Sequence, residues 1–279
     1  MSTAAKPADT NHSKGEPITL FAFEKRPGVP TASGFCQKVE CYLRFANVKY
    51  TQKDTLPFKA PKKKLPYVDI DGVIVPDSQF IVRYIKEKGI ADLDKSAGLT
   101  QLQIVEGVAY RGYWEEAIYP AIVRSRWFDK ENEAVIAQEV FGDLPFFLRI
   151  PLHWWFRRSL TNSLVAQGVG RHSDAETDII LREALESLEV RLTPSGTTTE
   201  WFHKTATPAD IDAVLSAMLI NLCGTDSNPF CKNIILSSKI LRGYMKRAAE
   251  GFFPEFETLL KEVKEAEAKD APAPVLEVL

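Results

Sequence analysis

The stretch that decides the fold runs from Leu65 to Ile85 and reads LPYVDIDGVIVPDSQFIVRYI. Two short apolar segments flank Asp71-Gly72, a pair that suits the positive φ angles of a tight hairpin turn. Asp77 and Ser78 then precede apolar residues at helical spacing, where a short polar side chain can cap a helix. The stretch therefore predicts an antiparallel hairpin followed by a helix.

The residues upstream of the hairpin predict a β-α-β unit. Residues 18–23 (ITLFAF) are apolar, as expected of a buried strand, and residues 48–54 (VKYTQKD) alternate like a second strand. Between them, residues 34–47 (GFCQKVECYLRFAN) carry apolar side chains at helical spacing. With the hairpin and its helix, these segments predict a small α/β sandwich over residues 17–92.

Downstream of about Leu99 the sequence favours helices and shows no convincing strand. The predicted helices are 99–126, 131–148, 173–193, 208–223 and 233–250. Ser173 with Glu176 matches a capping box, and Thr207 with Asp210 matches a second one. We therefore expect an all-helical domain over residues 98–260, with a disordered tail at 1–16 and a polar tail at 261–279.

Composition and charge argue against several classes of protein. The chain of 279 residues has a net charge of −2, which indicates no nucleic-acid partner. The four cysteines show no CxxC spacing and the four histidines are scattered, so we expect neither a disulfide framework nor a metal site. No apolar run reaches the roughly 20 residues of a spanning helix, and the first residues lack the apolar core of a secretory signal. We therefore expect a cytoplasmic protein.

The most apolar stretch leaves two interpretations open. Residues 144–156 read LPFFLRIPLHWWF, and Arg157 and Arg158 follow directly. Aromatic side chains beside arginines suit a peripheral contact of residues 144–158 with an intracellular membrane or a protein partner. The same pattern suits a buried helix equally well.

Four motifs together resemble a known superfamily. The stretch from Leu65 to Ile85 and the segment SGFCQKVECYLRF (33–45) resemble the N-terminal domain of the glutathione S-transferases. GVGRHSDAE (168–176) and TPADIDAVLSA (207–217) are similar to the failed-axon-connections, cadmium-responsive and metaxin-like branch. The resemblance implies a thioredoxin-like α/β N-terminal domain, an all-α C-terminal domain, and glutathione as a co-substrate.

The resemblance implies a glutathione-binding set in the N-terminal domain. A cis peptide at Leu65-Pro66 would leave the Leu65 backbone exposed to the cysteinyl residue of glutathione. Ser78 would bind the γ-glutamyl carboxylate, Asp77 its ammonium group, and Lys64 the glycyl carboxylate. Each has a plainer alternative, because Pro66 can be an ordinary loop proline, Asp77 and Ser78 can be helix caps, and Lys64 belongs to a basic loop.

The resemblance also implies catalytic and substrate-contacting positions. Ser33 and Cys36 lie near the start of the first helix, where free N–H groups favour a developing anion. We expect Ser33 to activate the glutathione thiol and Cys36 to be partly covered and secondary. Tyr110, Tyr113 and Trp114 would line a hydrophobic co-substrate pocket, unless they form core instead.

The expected activity is conjugation of the glutathione thiolate to a small hydrophobic electrophile. The alternative is a non-catalytic, metaxin-like adaptor or binding protein with the same fold. The sequence leaves open the identity of the electrophile, the role of Arg171 and His172, and whether the chain forms a homodimer.

Overall fold

A computed structural model describes residues 18–142, 144–194 and 200–270 of the chain. The predicted tail at residues 1–16 lies outside the described residues, as do residues 271–279 of the predicted C-terminal tail.

The N-terminal part of the described chain combines a small sheet with two helices. Its elements are β1 (Ile18–Ala22), α1 (Gly34–Phe45), β2 (Tyr50–Asp54), β3 (Tyr67–Ile70), β4 (Val73–Pro76) and α2 (Ser78–Glu87). The strands lie in the order β2-β1-β3-β4, with β1 parallel to β2 and the other neighbours antiparallel. The turn residues Asp71 and Gly72 have φ angles of 53° and 81°, so the predicted hairpin is confirmed. This mixed sheet with its crossover helix is the expected thioredoxin-like arrangement.

The rest of the described chain is helical, which confirms the predicted fold class. Its helices are α3 (Leu93–Ser96), α4 (Gln101–Gly112), α5 (Tyr119–Phe128), α6 (Lys130–Phe141), α7 (Phe146–Gln167), α8 (Asp174–Leu192), α9 (Asp210–Cys223), α10 (Pro229–Ser237), α11 (Lys239–Phe252) and α12 (Glu257–Asp270). A π-helical turn at Tyr113–Ile118 joins α4 to α5, so the predicted helix 99–126 is nearly continuous. No helix of the described part is long and apolar enough to cross a membrane.

Helix α1 lies at the centre of the molecule. It packs on the sheet side against α2 and on the other side against α9 of the helical domain. The polar residues Gln37, Lys38 and Glu40 are therefore as completely buried as their apolar neighbours. Because buried polar groups must find hydrogen-bond partners, this helix organises the contacts between the two domains.

Helices α8 and α9 form the core of the helical domain. Every residue of α9 from Ile211 to Cys223 is buried, as is typical of a helix that is apolar on all sides. The predicted capping box of α8 is confirmed, because Ser173 Oγ accepts from Glu176 N–H at 3.3 Å and Glu176 Oε2 accepts from Ser173 N–H at 2.7 Å. A short turn at Val169–Arg171 leads into this cap.

The second predicted capping box is wrong. Helix α9 begins at Asp210, and the carboxylate of Asp212 accepts from Ala209 N–H at 2.8 Å. The carboxylate of Asp210 instead accepts from Lys86 Nζ of α2 at 2.8 Å, and Asp210 N–H donates to Asp94 at 3.0 Å. An ion pair between the domains thus replaces the local cap that the sequence pattern indicated.

Three predicted helix ends also differ from the structure. The predicted helix 131–148 is broken before Pro145, after which α7 begins as a separate helix. The predicted helix 233–250 is two helices, because Ser238 ends α10 and its Oγ caps α11 by accepting from Leu241 N–H at 3.1 Å. The predicted end of the helical domain at 260 falls inside α12, which was not predicted and runs to Asp270, since it packs on α10 and α11. Helical periodicity alone does not reveal such breaks and docking.

Candidate functional site

The loop before β3 presents an unpaired piece of backbone. The peptide between Leu65 and Pro66 is cis, as the resemblance implied. Asp77 N–H donates to Pro66 O at 3.2 Å, which fastens this loop to the start of α2. Among the described residues, no hydrogen bond involves the N–H or C=O of Leu65. Such a segment can pair with the backbone of a bound peptide in the manner of an added strand.

The start of α2 combines a cap with free donors. Asp77 Oδ1 accepts from the N–H groups of Gln79 at 3.0 Å and Phe80 at 3.4 Å, so the predicted capping role is confirmed. Asp77 is exposed, and its φ of 81° is rare for a residue with a side chain. Ser78 N–H has no acceptor in the described part of the chain, as expected for the first residue of a helix. Lys64 is exposed on the neighbouring loop.

A buried ion pair lies directly beneath Ser78. Lys38 Nζ of α1 is 2.5 Å from Glu115 Oε1, and only 2% and 5% of the two side chains are exposed. The same ammonium donates to Gln79 Oε1 at 2.9 Å and to Ser78 Oγ at 3.4 Å. Arg111 supplies a second cation to Glu115, at 3.2 Å. Burial lowers the pKa of Lys38, and the Glu115 carboxylate opposes that shift.

This pair determines which atoms Ser78 can offer to a ligand. Because Ser78 Oγ accepts from Lys38, its own hydroxyl proton is free to point away from the ammonium. The free hydroxyl and the free Ser78 N–H then form two donors at a helix N-terminus above a buried cation. A carboxylate is the group that this arrangement favours. Lys38 and Glu115 were not predicted from the sequence, because charged residues on a helix usually indicate a solvated face.

Ser33 caps α1 through its side-chain oxygen. Its Oγ accepts from Cys36 N–H at 3.3 Å, so this cap leaves the hydroxyl proton for the Cys36 sulfur or for another acceptor such as a bound ligand. The N–H groups of Gly34 and Phe35 have no acceptor among the described residues. Ser33 and Ser78 lie at the starts of α1 and α2, two helices that pack against each other.

The helical domain holds the loop that precedes Ser33. Arg126 Nη1 donates to Ala32 O at 3.2 Å, and Asn221 Nδ2 donates to Thr31 O at 2.7 Å. Arg126 and Asn221 are both buried, so these hydrogen bonds are shielded from water. Neither residue was predicted, and the sequence carries no signal for them, because both lie far along the chain in α5 and α9.

Cys36 lies behind Ser33 and is closed to solvent. It is almost completely buried, and burial raises the pKa of its thiol to about 11, against the smaller lowering effect of the Ser33 hydrogen bond. A thiol with this pKa carries little thiolate at neutral pH. The structure therefore agrees with a covered Cys36 and gives it no catalytic position.

The three aromatic residues predicted to line a pocket lie in three different environments. Trp114 is part of the core, Tyr110 packs on Phe202 with ring centroids 4.6 Å apart, and Tyr113 is exposed. The π-helical turn that begins at Tyr113 inserts an extra residue per turn and separates the directions of these side chains. The residues of α4 that line the space between the domains are Gln103, Ile104, Gly107, Val108 and Arg111.

Other side chains supply the aromatic surface near Ser33. The rings of Phe35 and Tyr119 are 4.5 Å apart at the start of α1. Next to Ser33, Gly34 has little room for a side chain, because an added Cβ would lie 3.2 Å from Met218 Sδ and that side chain would have to shift. The helical domain therefore closes tightly around the first turn of α1.

The space between the domains next to Lys38 is small, and apolar side chains such as Val82, Ile104 and Val214 form much of its lining. Its volume is about 40 Å³, enough for water but not for a tripeptide. Asp92, Asp94 and Asp210 lie close enough together to hold a cation, and Lys86 Nζ is within 2.8–3.3 Å of all three. The ammonium of Lys86 thus already provides the positive charge that this cluster requires.

Comparisons with known proteins agree with this geometry. A family model described as the glutathione S-transferase N-terminal domain matches residues 34–132. The chain is 32% identical over 179 residues to isoprene-epoxide–glutathione S-transferase of Rhodococcus sp. (strain AD45), covering 61% of this chain and 74% of that protein. It is 27% identical over 268 residues to Failed axon connections of Drosophila melanogaster, covering 90% of this chain and 61% of that protein. Metaxin-1 of Mus musculus is 26% identical over 211 residues, with coverages of 73% and 64%.

Solved structures share the fold. Glutathione S-transferase III in its apo form superposes with a TM-score of 0.52 at 12% identity, covering 93% of this chain and all 100% of that one. A glutathione transferase of Phanerochaete chrysosporium gives a TM-score of 0.52 at 14% identity, with coverages of 89% and 97%. A thioredoxin-like domain with a helical partner and a cis-proline loop defines a protein built like a glutathione transferase. The chain belongs to the glutathione S-transferase superfamily, and its similarity to Failed axon connections and the metaxins supports the metaxin-like branch.

Proposed function

We propose that the cleft beside Leu65, Ser78 and Ser33 binds glutathione and activates its thiol for attack on a small electrophile. The observation that carries the proposal is the unpaired backbone of Leu65, next to the two free donors of Ser78. In the proposed complex the cysteinyl backbone pairs with Leu65, and the γ-glutamyl carboxylate accepts from Ser78. The exposed carboxylate of Asp77 receives the ligand ammonium, and Lys64 attracts the glycyl carboxylate.

Ser33 supplies the chemical step in this proposal. Its hydroxyl donates to the glutathione sulfur, and the free N–H groups of Gly34 and Phe35 favour the negative charge, so the pKa of the thiol falls. The thiolate then forms a carbon–sulfur bond while the leaving group departs with the electron pair. The similarity to an isoprene-epoxide–glutathione S-transferase suggests epoxides as a class to test. There the carbon–oxygen bond would break, and the alkoxide would take a proton from water.

A non-catalytic adaptor is the second candidate function. All of the polar groups beneath Ser78 already pair with each other, because Lys38, Glu115 and Arg111 form a closed cluster without a ligand. Such a cluster can serve folding alone. The similarity to Failed axon connections also extends over 90% of the chain. An adaptor would use the same fold without binding glutathione.

Free thiols fit a reducing compartment. All four cysteines are unpaired and buried. We therefore propose that either function is carried out in the cytoplasm. Formation of a homodimer stays a prediction.

Calorimetric titration with glutathione distinguishes the two functions. The transferase-like site should bind with a Kd on the order of micromolar to millimolar. Ser78→Ala should weaken binding by about 10- to 100-fold, which corresponds to the roughly 1.5–3 kcal/mol of a hydrogen bond to a charged group. Ser173→Ala is the matched control, because it removes the same hydroxyl from a helix start outside the cleft. If millimolar glutathione gives no heat, the adaptor becomes the better assignment.

Turnover with an epoxide and with an aromatic chloride tests the role of Ser33. Ser33→Ala should lower the rate of conjugation by about 10²-fold, as expected for one donor in a preorganised site. Ser33→Thr keeps the hydroxyl and should retain most of the rate. Cys36→Ser should change the rate little, because the thiol is buried. A loss of turnover in Cys36→Ser with full activity in Ser33→Ala would assign the chemistry to the thiol.

A further inference from the structure

We propose that α7 docks the protein on the surface of membranes that contain anionic lipids. The helix exposes a continuous apolar surface, here called the outer face. Its members are Leu148, Ile150, Trp154 and Trp155, each between 50% and 68% exposed. Exposed aromatic and aliphatic side chains in such number mark an interaction site.

The outer face is not part of the fold's own core. The opposite side of α7 packs inward through Phe156, whose ring centroid lies 5.1 Å from that of Trp127 and 5.6 Å from that of Phe141. Leu164 is also buried on that side. The helix therefore satisfies its packing with one face and carries a second apolar face that folding does not require.

The charges of α7 are all positive. Its sequence, FFLRIPLHWWFRRSLTNSLVAQ, contains three arginines and no aspartate or glutamate. Arg157 pairs with Glu133 at 2.6 Å, whereas Arg149 and Arg158 have no acidic partner among the described residues. The guanidinium of Arg158 lies 5.8 Å from the ring centroid of Trp154, so a positively charged group lies on the outer face.

This composition matches the boundary between water and lipid. Tryptophan rings are favoured at the level of the lipid headgroups, and arginines beside them attract anionic lipids. The helix has 22 residues, about 33 Å, but Arg149 and Pro151 interrupt its apolar run, and it does not qualify as a spanning helix. It would lie along the surface with its outer face inserted into the headgroup region.

A second copy of the chain fits the outer face less well. In a two-fold contact through α7, the outer faces of the two copies would meet, and each Arg158 would approach the cations of the partner helix. The helix offers no carboxylate to neutralise them. An anionic bilayer supplies the missing negative charge at the same place as the apolar environment.

Co-sedimentation of the full-length protein with lipid vesicles tests the proposal. Vesicles made of phosphatidylcholine with roughly a third phosphatidylserine should bind the protein. Salt at about 1 M should reduce this binding, because it screens the charges of the arginines. Pure phosphatidylcholine vesicles should bind it at least about 10-fold less. Replacing both exposed tryptophans (Trp154→Ala with Trp155→Ala) should reduce partitioning by about 10-fold or more. Arg149→Gln and Arg158→Gln should each lower it by about 5-fold, from roughly 1 kcal/mol per basic residue.

Matched controls separate this surface from general stickiness and from the glutathione cleft. Leu102→Ala and Val190→Ala remove apolar side chains that are equally exposed elsewhere, and they should leave vesicle binding unchanged. The tryptophan variant should keep the wild-type urea midpoint, since it alters only exposed side chains. The proposal is overturned if the protein does not sediment with anionic vesicles at low salt, or if it binds neutral vesicles equally well. A third result also overturns the proposal: the wild-type protein does not bind vesicles but forms a dimer, and the tryptophan variant is monomeric. The outer face would then be the contact surface for a second copy of the chain.

Discussion

Neutralising Glu115 should lower the free energy of unfolding more than neutralising any single surface charge would. Glu115→Gln keeps the shape of the side chain but leaves the Lys38 ammonium and the Arg111 guanidinium without their carboxylate. Two unit charges about 4 Å apart attract by about 4 kcal/mol at an effective dielectric constant of about 20. Removing one partner of a buried pair costs about 3–5 kcal/mol in comparable proteins. Gln79 and Ser78 still accept from Lys38, so we expect a loss near 3 kcal/mol in the free energy of unfolding.

The measurement is urea denaturation followed by tryptophan fluorescence and by circular dichroism. Glu116→Gln is the matched control, because it makes the same charge change one residue away at an exposed position. It should shift the free energy of unfolding by less than about 0.5 kcal/mol. The double variant Lys38→Met with Glu115→Leu should recover much of the loss, because apolar residues can replace a buried pair without leaving a lone charge.

Two results would refute this reasoning. If Glu115→Gln lies within about 1 kcal/mol of the wild type, the pair is not desolvated as its burial indicates. The second result would be a double variant that loses more free energy of unfolding than Lys38→Met and Glu115→Leu lose together as single variants. In that case the ion pair contributes more to stability than an apolar contact of the same volume would.

Three further predictions concern residues around the cleft. Burial lowers the pKa of His203 in the folded chain. The free energy of unfolding should therefore fall as the pH drops below about 6.5, because the unfolded chain binds a proton there more readily than the folded chain does. His203→Gln should reduce the difference between denaturation curves recorded at about pH 7.5 and at about pH 5.5. Asp212→Ala should reduce the free energy of unfolding by about 3 kcal/mol or more, because Tyr244 and two backbone N–H groups lose a buried acceptor; an unchanged urea midpoint would contradict this. Arg126→Lys keeps the charge but loses the planar guanidinium group whose hydrogen bonds hold the loop before Ser33. The rate of glutathione conjugation should therefore fall by about 10- to 100-fold while the affinity for glutathione is retained. An equal loss of rate and affinity would indicate that the variant disturbs the whole fold.

Local sequence signals determined the elements and their order. The Asp71-Gly72 turn, the apolar strand at 18–23 and the Ser173–Glu176 cap each depend on residues within a few positions of one another, so the sequence alone predicts them. A small α/β sandwich and its helical partner followed from that order, and the family resemblance implied that the sandwich is thioredoxin-like. The cis-proline loop and the capping role of Asp77 followed from the family resemblance and from helix-start chemistry.

Tertiary contacts decided the parts of the site that the sequence did not predict. Lys38 looks like a solvated position of α1, yet it is buried, and its partners Ser78, Gln79 and Glu115 lie between 40 and 77 positions further along the chain. Asp210 looks like a local helix cap, yet Lys86 lies near enough to take its carboxylate. The aromatic residues of α4 look like one stripe, yet a π-helical turn separates them.

The physical reason is the range of the forces involved. Turns, caps and amphipathic spacing act between neighbours in the chain, and the sequence displays neighbours directly. Desolvation and ion pairing depend on what another element places against a side chain, and only the packed structure brings those elements together. The sequence by itself therefore determined the fold and the position of the candidate cleft. The packing of α1 against α2 and against the π-helical turn that carries Glu115 decided which charged groups lie beneath that cleft.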